Sequence, residues 1–233
     1  MSKIFRQNRR NSLTEGKAGN YFKYALGEII LVVIGILIAL YINNYNSELI
    51  EKKAAISSYK NIKRQINDDK DAIHERNEQN KQLYEMYLYA SDIIEQNDRK
   101  KTDILGQIAL GLTEYSDFDR SSTIYQNLLN SGESKLLKNR DILNQVQKLE
   151  EIYIFINRLE KIHSEVVIPI GFELVKYMKF IDGSVREPEK LFGIDFQNYF
   201  ISMHGICDKK KYAYGLAIEK IEQITKLIED EIK

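Results

Sequence analysis

The residue types that most often carry chemistry are few and scattered in this chain of 233 residues. His74, His163 and His204 lie too far apart for a metal site built from neighbouring positions, and no His-x-x-x-His or paired cysteine occurs. The single cysteine, Cys207, cannot form an intrachain disulfide, and no histidine stands directly beside it to activate it as a nucleophile. A glycine-rich phosphate loop and a G-x-S-x-G motif are also absent from the sequence. We therefore predict no catalytic residue, no metal ligand and no cofactor.

Two histidines are paired with glutamates at helical spacing. His74 precedes Glu78 by four residues, and His163 follows Glu160 by three. Residues three or four apart share one face of a helix, where such pairs are common surface contacts. We expect both pairs to be exposed to solvent and to have no catalytic role.

One carboxylate, Glu28, lies inside the apolar stretch "FKYALGEIILVVIGILIALYINNYN". Phe22 to Ile42 is 21 residues, which is about 31 Å as a helix and matches a bilayer core of about 30 Å. Tyr24 and Tyr41 stand near its two ends, where interfacial aromatic residues are expected. We predict a transmembrane signal-anchor helix over residues 22–46.

The charges of the chain are distributed asymmetrically around this stretch. The whole chain has 34 basic and 34 acidic residues, whereas residues 1–23 carry a local balance of +5. Lys and Arg concentrate on the cytoplasmic side of membrane proteins. Residues 1–21 are therefore predicted to be a basic cytoplasmic tail, and residues 47–233 an extracytoplasmic domain. The basic residues predicted to flank the membrane include Arg6, Arg9, Arg10, Lys17 and Lys23.

Other interpretations of the basic, apolar N-terminus fit less well. A basic arm could bind nucleic acid, but the adjacent apolar run favours a membrane, so we expect no nucleic-acid partner. A cleaved signal needs a small-x-small site, and Ala39-Leu40-Tyr41 fits this poorly. "RRNSL" resembles a twin-arginine signal, but the following run is too hydrophobic for one. A buried core helix of a soluble protein remains an alternative for the apolar residues 29–42.

Two stretches resemble one family. "YFKYALGEIILVVIGILIALYINNYN" is similar to the N-terminal signature of a large family of uncharacterised single-pass membrane proteins from Bacteroidota, and "SSTIYQNLLNSGESKLLKNRDILNQVQKLEEIY" resembles its middle segment. Tyr45 stands where the family usually has tryptophan, which preserves an interfacial aromatic residue. The resemblance implies a cytoplasmic stub, one span and a helical periplasmic domain in the inner membrane of a Gram-negative cell. It implies no activity.

The remainder of the sequence reads as helices, and we predict an all-α protein whose transmembrane helix continues into a long helix beside an up-and-down bundle. A series of residues spaced by sevens begins at Tyr59 and ends at Ile94, and charge at Asp69 and Arg76 interrupts its partner positions in the heptads. We predict a long helix over residues 141–181 with a kink at Pro169. A last helix is predicted from residue 195 to the C-terminus, divided at Gly205 or Gly215. Ser122 or Thr123 is expected to cap a short helix at residues 124–130.

Glu28, Gly35 and Ala39 fall on one face of the predicted span. Gly35-x-x-x-Ala39 would let a second helix approach closely, and a partner would compensate the cost of the carboxylate in lipid. Alternatively, Glu28 belongs to the membrane edge, stabilised by the helix N-terminus and by Lys23. The first interpretation predicts association through the span, with a second copy or with another membrane subunit.

Three functional classes follow from these observations. The first is a membrane-anchored interaction or scaffold protein of the bacterial cell envelope, which docks an envelope protein. The second is an extracytoplasmic ligand-sensing bundle that signals through a partner membrane protein, because the short cytoplasmic tail leaves no room for an output module. The third is an enzyme without a recognisable motif. The absence of catalytic motifs favours the first class.

Overall fold

The computed structural model describes residues 18–118 and 124–233. The predicted basic tail up to residue 17 and the predicted caps Ser122 and Thr123 lie outside the described residues. No strand occurs within the described residues, which confirms the all-α class. The helices are α1 (Ala18–Glu95), α2 (Thr102–Leu110), α3 (Ile124–Asn130), α4 (Arg140–Tyr177), α5 (Pro188–Leu191) and α6 (Ile194–Glu231), with 3-10 turns at Arg99–Lys101, Gly111–Thr113 and Glu133–Lys135.

The chain divides into two compact units, and α1 contributes residues to both. The first unit ends at Ala54 and contains the apolar stretch, and the second unit is Ala55–Lys233. No residue in the most apolar window of α1 is buried. The second unit has its own buried core, described below.

Helix α6 runs antiparallel to the part of α1 that belongs to the second unit. Lys63 Nζ lies 2.5 Å from Glu229 Oε1. Farther along α1, the Asn80 side chain donates a hydrogen bond of 2.8 Å to the backbone carbonyl of Cys207. Residue numbers thus rise along α1 as they fall along α6, so the chain enters and leaves the second unit at the same end.

The described parts of residues 99–137, called here the return segment, run antiparallel to α4. The backbone N–H of Phe118 donates to Glu160 Oε1 at 2.9 Å. The N–H of Tyr125 donates to Glu150 Oε1 at 2.6 Å. The second unit is therefore an up-and-down bundle of four elements, in which the second element is a series of short helices.

Helix α4 begins at the end where α1 enters the unit. The backbone N–H of Asn139 donates to the Tyr59 hydroxyl at 3.2 Å. The Asn139 side chain caps α4, accepting from the N–H groups of Asp141 and Ile142 at 3.0 and 3.3 Å. An asparagine at this position satisfies donors that a helix N-terminus otherwise leaves free.

The heptad-spaced series on α1 faces the core, as predicted. Tyr59, Ile66, Ile73, Asn80, Tyr87 and Ile94 are all buried. Of the two charges that interrupt the pattern, Arg76 is partly exposed, whereas Asp69 is buried and its Oδ2 accepts a hydrogen bond of 3.0 Å from the Tyr153 hydroxyl. Asp69 therefore lies inside this bundle with a partner.

Two apolar clusters form the core of the second unit. One occupies the half where the chain enters and includes Ile66, Val146, Tyr153, Ile224 and Ile228. The other occupies the far half and includes Tyr87, Leu105, Leu174, Phe200 and Met203. Along every long element the switch from one cluster to the other coincides with buried polar residues, namely Asn80, Ser116, Glu160, His163 and Lys210, called here the polar layer.

Helix α4 ends at Tyr177, four residues before the predicted end. Met178 is extended and pairs with Val185 in an isolated bridge, which stops the helix. The turn between them needs glycine at Gly183, whose φ is 68°. A Cβ on Gly106 of α2 would lie 2.5 Å from the carbonyl oxygen of Gly183, so glycine at both positions lets the turn pack against α2.

Two predictions about the long helices are wrong. Helix α6 is continuous through Gly205 and Gly215, because buried neighbours on the turns between them provide tertiary packing that outweighs weak local propensity. On α4, Ile162 is exposed, and the buried stripe passes instead through His163 and Val167.

Candidate functional site

The predicted membrane span lies in α1, a helix that is long enough and apolar enough to cross a bilayer. The residues Lys23, Glu28, Gly35 and Ala39 of this span are all exposed. A Cβ placed on Gly35 would meet no atom within 4 Å. The face that carries Glu28 is therefore uncovered in the single chain. Arg6, Arg9, Arg10 and Lys17 lie outside the described residues.

Among the described residues, the polar layer brings buried ionisable groups of α4 and α6, namely Glu160, His163 and Lys210, next to the buried Ser116 of the return segment. Glu160 is 3% exposed and His163 is 0% exposed. The expectation that this pair lies on the surface is therefore wrong. His74 and Glu78, the other predicted surface pair, are exposed. Burial is decided by the phase of each residue on its helix, which a pairwise spacing does not report.

Lys210 on α6 is fully buried and is held by the return segment. Its Nζ donates to the backbone carbonyl of Ser116 at 2.6 Å and to the Ser116 hydroxyl oxygen at 2.7 Å. A third neighbour, His163 Nδ1, lies at 3.5 Å. Burial lowers the pKa of Lys210 to about 8, partly offset by the nearby Glu160 carboxylate. At neutral pH the ammonium form still predominates, so its donors are directed at Ser116.

Glu160 on α4 is bound through one of its two carboxylate oxygens. Oε1 accepts from the Tyr214 hydroxyl at 2.6 Å and from the Phe118 N–H at 2.9 Å. Oε2 is buried and finds no hydrogen-bond partner among the residues that the structure describes. Burial raises the pKa of Glu160, and the two hydrogen bonds and Lys210 oppose that rise.

His163 lies between the Lys210 ammonium and the ring of Tyr115, whose centroid is 6.1 Å from that of the imidazole. Burial, assisted by the positive charge of Lys210, lowers the pKa of His163 to about 4. The imidazole is therefore neutral at pH 7. Because Nδ1 faces an ammonium donor, the ring proton belongs on Nε2, which is buried without a partner among the described residues.

A cleft of about 220 Å³ opens beside Glu160. Its walls come from the return segment and from one face of α4. The lining residues are Tyr115, Asp117, Asn157, Glu160, Lys161 and Ser164. Glu160 is the one member of the polar layer among these lining residues. A second groove of about 500 Å³ lies on the α1 side of the return segment and shares Tyr115 with the cleft.

The reactive groups of the far apolar cluster are less accessible. Cys207 is buried, and burial raises the pKa of its thiol to about 11, so the thiolate is scarce at neutral pH. Within residues 18–118 and 124–233, no group of three His, Cys, Asp or Glu side chains is placed to hold a metal ion.

A sequence signal for the polar layer exists, although pairwise motifs missed it. Glu160 and His163 are in phase with the buried residues Ile156 and Val167, at steps of three and four. Lys210 is likewise in phase with Cys207 on α6. A charged residue inside a helical apolar stripe therefore indicates a buried polar group here, whereas the partner on another helix is visible only in the fold.

No family model, curated protein or solved structure matches this chain. The arrangement of its own residues therefore carries the functional argument.

The first prediction concerns the pH dependence of stability. The pKa of His163 is about 4 in the folded chain against an ordinary 6.5, so between these values the unfolded chain binds a proton that the folded chain excludes. The gap corresponds to about 3 kcal/mol of stability, which is present above pH 6.5 and is lost as the pH falls towards 4. Glu160 has a raised pKa, so its contribution to stability increases as the pH falls and opposes that of His163. A variant is therefore needed to isolate the contribution of His163.

We expect wild type to lose about 2–3 kcal/mol more than His163→Gln between pH 6.5 and 4.5. Urea unfolding of the full chain in detergent, followed by far-UV circular dichroism at each pH, measures this difference. His74→Gln, at an exposed position on α1, serves as the control and should retain the wild-type profile. Parallel profiles for wild type and His163→Gln would show that the buried imidazole does not contribute.

The second prediction concerns the span. If Glu28, Gly35 and Ala39 form a helix interface, Gly35→Ile together with Ala39→Ile fills the groove while the span stays hydrophobic. We expect the signal of a membrane two-hybrid assay for span association to be lost. Ile34→Leu together with Ile38→Leu is the matched control on another face. Association that survives the double isoleucine variant would assign Glu28 to the membrane edge instead.

Proposed function

We propose that this chain is a membrane-anchored docking protein of the bacterial cell envelope. In this proposal the apolar part of α1 is an inner-membrane anchor with a cytoplasmic N-terminus, and the second unit presents a binding surface in the periplasm. The charge asymmetry of residues 1–23 supports the orientation. The role requires no catalysis, which is consistent with a sequence that lacks catalytic motifs.

The observation that carries the proposal is an exposed apolar stripe on α4. Ile168, Phe172 and Val175 are 60%, 68% and 56% exposed and lie on successive turns of one helix face. The opposite face of the same turns, at Ile170 and Leu174, is buried in the far apolar cluster. Single exposed apolar residues are ordinary, but three in register beyond a completed core indicate an interaction surface.

The proposed partner of the stripe is another envelope protein that buries these side chains. An apolar surface contributes about 25 cal/mol for each Å² that a partner covers. Glu165 and Lys176 flank the stripe and are both exposed, which suits an interface with an apolar centre and a polar rim. The anchor would confine the partner to the inner membrane, and the span adds a second potential contact through Glu28, Gly35 and Ala39.

A ligand-sensing bundle is the second candidate, and one observation favours it. Glu160 lines the cleft, and its buried Oε2 has no hydrogen-bond partner among the described residues. Because a sensor of this design would need a partner to pass on its signal, it would use the same docking surface. The two candidates are therefore compatible.

The docking surface can be tested by site-directed photo-crosslinking. A photoreactive amino acid at Ile168 should give a discrete adduct in intact cells, and Phe172→Ser with Val175→Ser should abolish it. Both substitutions are at exposed positions, so the free energy of unfolding should change by about 1 kcal/mol or less. Leu129→Ser with Tyr212→Ser, exposed apolar positions on other helices, is the matched control. An adduct that is absent, or that is unchanged in the stripe variant, contradicts the proposal.

The orientation has its own test. Alkaline phosphatase fused after Lys233 should be active, because the proposed location of the second unit is periplasmic, and the enzyme matures only outside the cytoplasm. The same reporter fused after Lys17, ahead of the span, should be inactive. A fluorescent protein that folds only in the cytoplasm should report the reverse pattern. Fluorescence from the fusion at Lys233 would overturn the assigned orientation.

A further inference from the structure

The cleft beside the polar layer has a buried carboxylate in its lining. Glu160 is 3% exposed, yet it contributes to the wall of a cleft of about 220 Å³. Its Oε1 has two donors, and its Oε2 has none among the described residues. A buried acceptor without a donor costs about 1–3 kcal/mol, and more when it is charged. Such an oxygen is a natural recognition point for a ligand that supplies a donor.

The charges around the cleft indicate what kind of ligand fits. Glu160 and Asp117 are acidic, while Lys161 contributes a basic side chain that is 76% exposed at the rim. The buried Lys210 ammonium lies close enough to affect the Glu160 carboxylate electrostatically. Lys161 Nζ lies 3.9 Å from Glu165 Oε1, an exposed pair of the kind that contributes little. The lining thus offers a buried carboxylate and an exposed ammonium, and a ligand that carries both charges can meet both signs.

The size and the remaining lining narrow the ligand further. The volume is below the range of about 300–1,000 Å³ that is typical of pockets for drug-sized ligands. Tyr115 presents a half-exposed aromatic ring, over which a cationic group can be placed favourably. Ser164 adds a hydroxyl on the α4 side. The cleft therefore suits a small polar molecule that carries a cationic donor.

We propose that this cleft binds a small zwitterionic amino acid, with its ammonium group donating to Glu160 Oε2 and its carboxylate directed towards Lys161. The ligand would supply the donor that the buried carboxylate oxygen lacks. Its carboxylate would stay near the rim, where the exposed Lys161 can reach it. This binding site is separate from the apolar stripe on α4 and does not depend on the docking proposal.

The test uses the full chain in detergent micelles. Each of the twenty common amino acids is added separately, thermal unfolding is monitored, and those that raise the melting temperature are titrated by calorimetry. We expect saturable binding of at least one. For that amino acid, the corresponding amine without the carboxylate and the N-acetylated derivative should each bind about tenfold more weakly or worse, because each loses one charge-assisted contact.

Variants assign the binding to this cleft. Glu160→Gln keeps the acceptor for Tyr214 and Phe118 but removes the charge, and it should weaken binding about tenfold or more. Glu151→Gln, an exposed glutamate on the same helix that does not line the cleft, is the matched control and should bind like wild type. Lys161→Gln, at the exposed rim, should weaken the amino acid while leaving the decarboxylated amine unchanged. This variant keeps the test decisive even where Glu160→Gln does not fold.

Three results would overturn the proposal. The first is that no amino acid raises the melting temperature, which would leave an internal water as the donor to Oε2. The second is equal binding by wild type and by the Glu160 and Lys161 variants, which would place the ligand elsewhere. The third is a decarboxylated amine or a neutral polyol that binds as well as the best amino acid, which would exclude a zwitterion as the recognised class.

Discussion

Burial of the Lys210 ammonium in the middle of the bundle is the constraint on which the second unit depends. A charged group without access to water must be compensated by nearby acceptors. The acceptors are the carbonyl and hydroxyl oxygens of Ser116 in the return segment, and the Glu160 carboxylate of α4 adds a compensating negative charge. The ammonium thus fixes three elements relative to one another. The apolar clusters on either side are non-directional, so we infer that the polar layer specifies which turns of the helices face each other.

The same layer explains why the bundle is not uniformly packed. Groups that must satisfy hydrogen bonds in fixed directions cannot fill space as freely as leucine and isoleucine can. Glu160 directs one oxygen to Tyr214, and the same residue contributes to the lining of a cleft. The polar layer therefore both specifies the register of the helices and supplies a polar residue to the lining of the cleft. In the same helix, the exposed stripe of Ile168, Phe172 and Val175 lies about two to four turns from Glu160, so α4 carries both candidate surfaces.

Local periodicity predicted the helices and most of the core, but not the contacts between distant helices. The series from Tyr59 to Ile94 identified the buried face of α1 because a single helix face repeats within its own sequence. His163 and Lys210 are separated by 47 residues, and no local pattern reports that their helices meet there. The predicted division of the last helix at Gly205 or Gly215 was wrong for a related reason. Helix propensity is a local property, and packing across the bundle outweighs it. The family resemblance and the envelope role remain predictions.

The second unit is entered and left at one end, and this determines how it responds to force. Tension between Ala55 and the C-terminus would separate α1 from α6, beginning at the end that the two helices share and proceeding turn by turn. The Lys63–Glu229 ion pair would bear the load first, and the hydrogen bond from Asn80 to Cys207 only later. Contacts loaded one after another resist less than contacts loaded together. A tethered partner that pulls on the C-terminus would therefore open the domain gradually from that end, through the apolar cluster of the entry half first and the polar layer only afterwards.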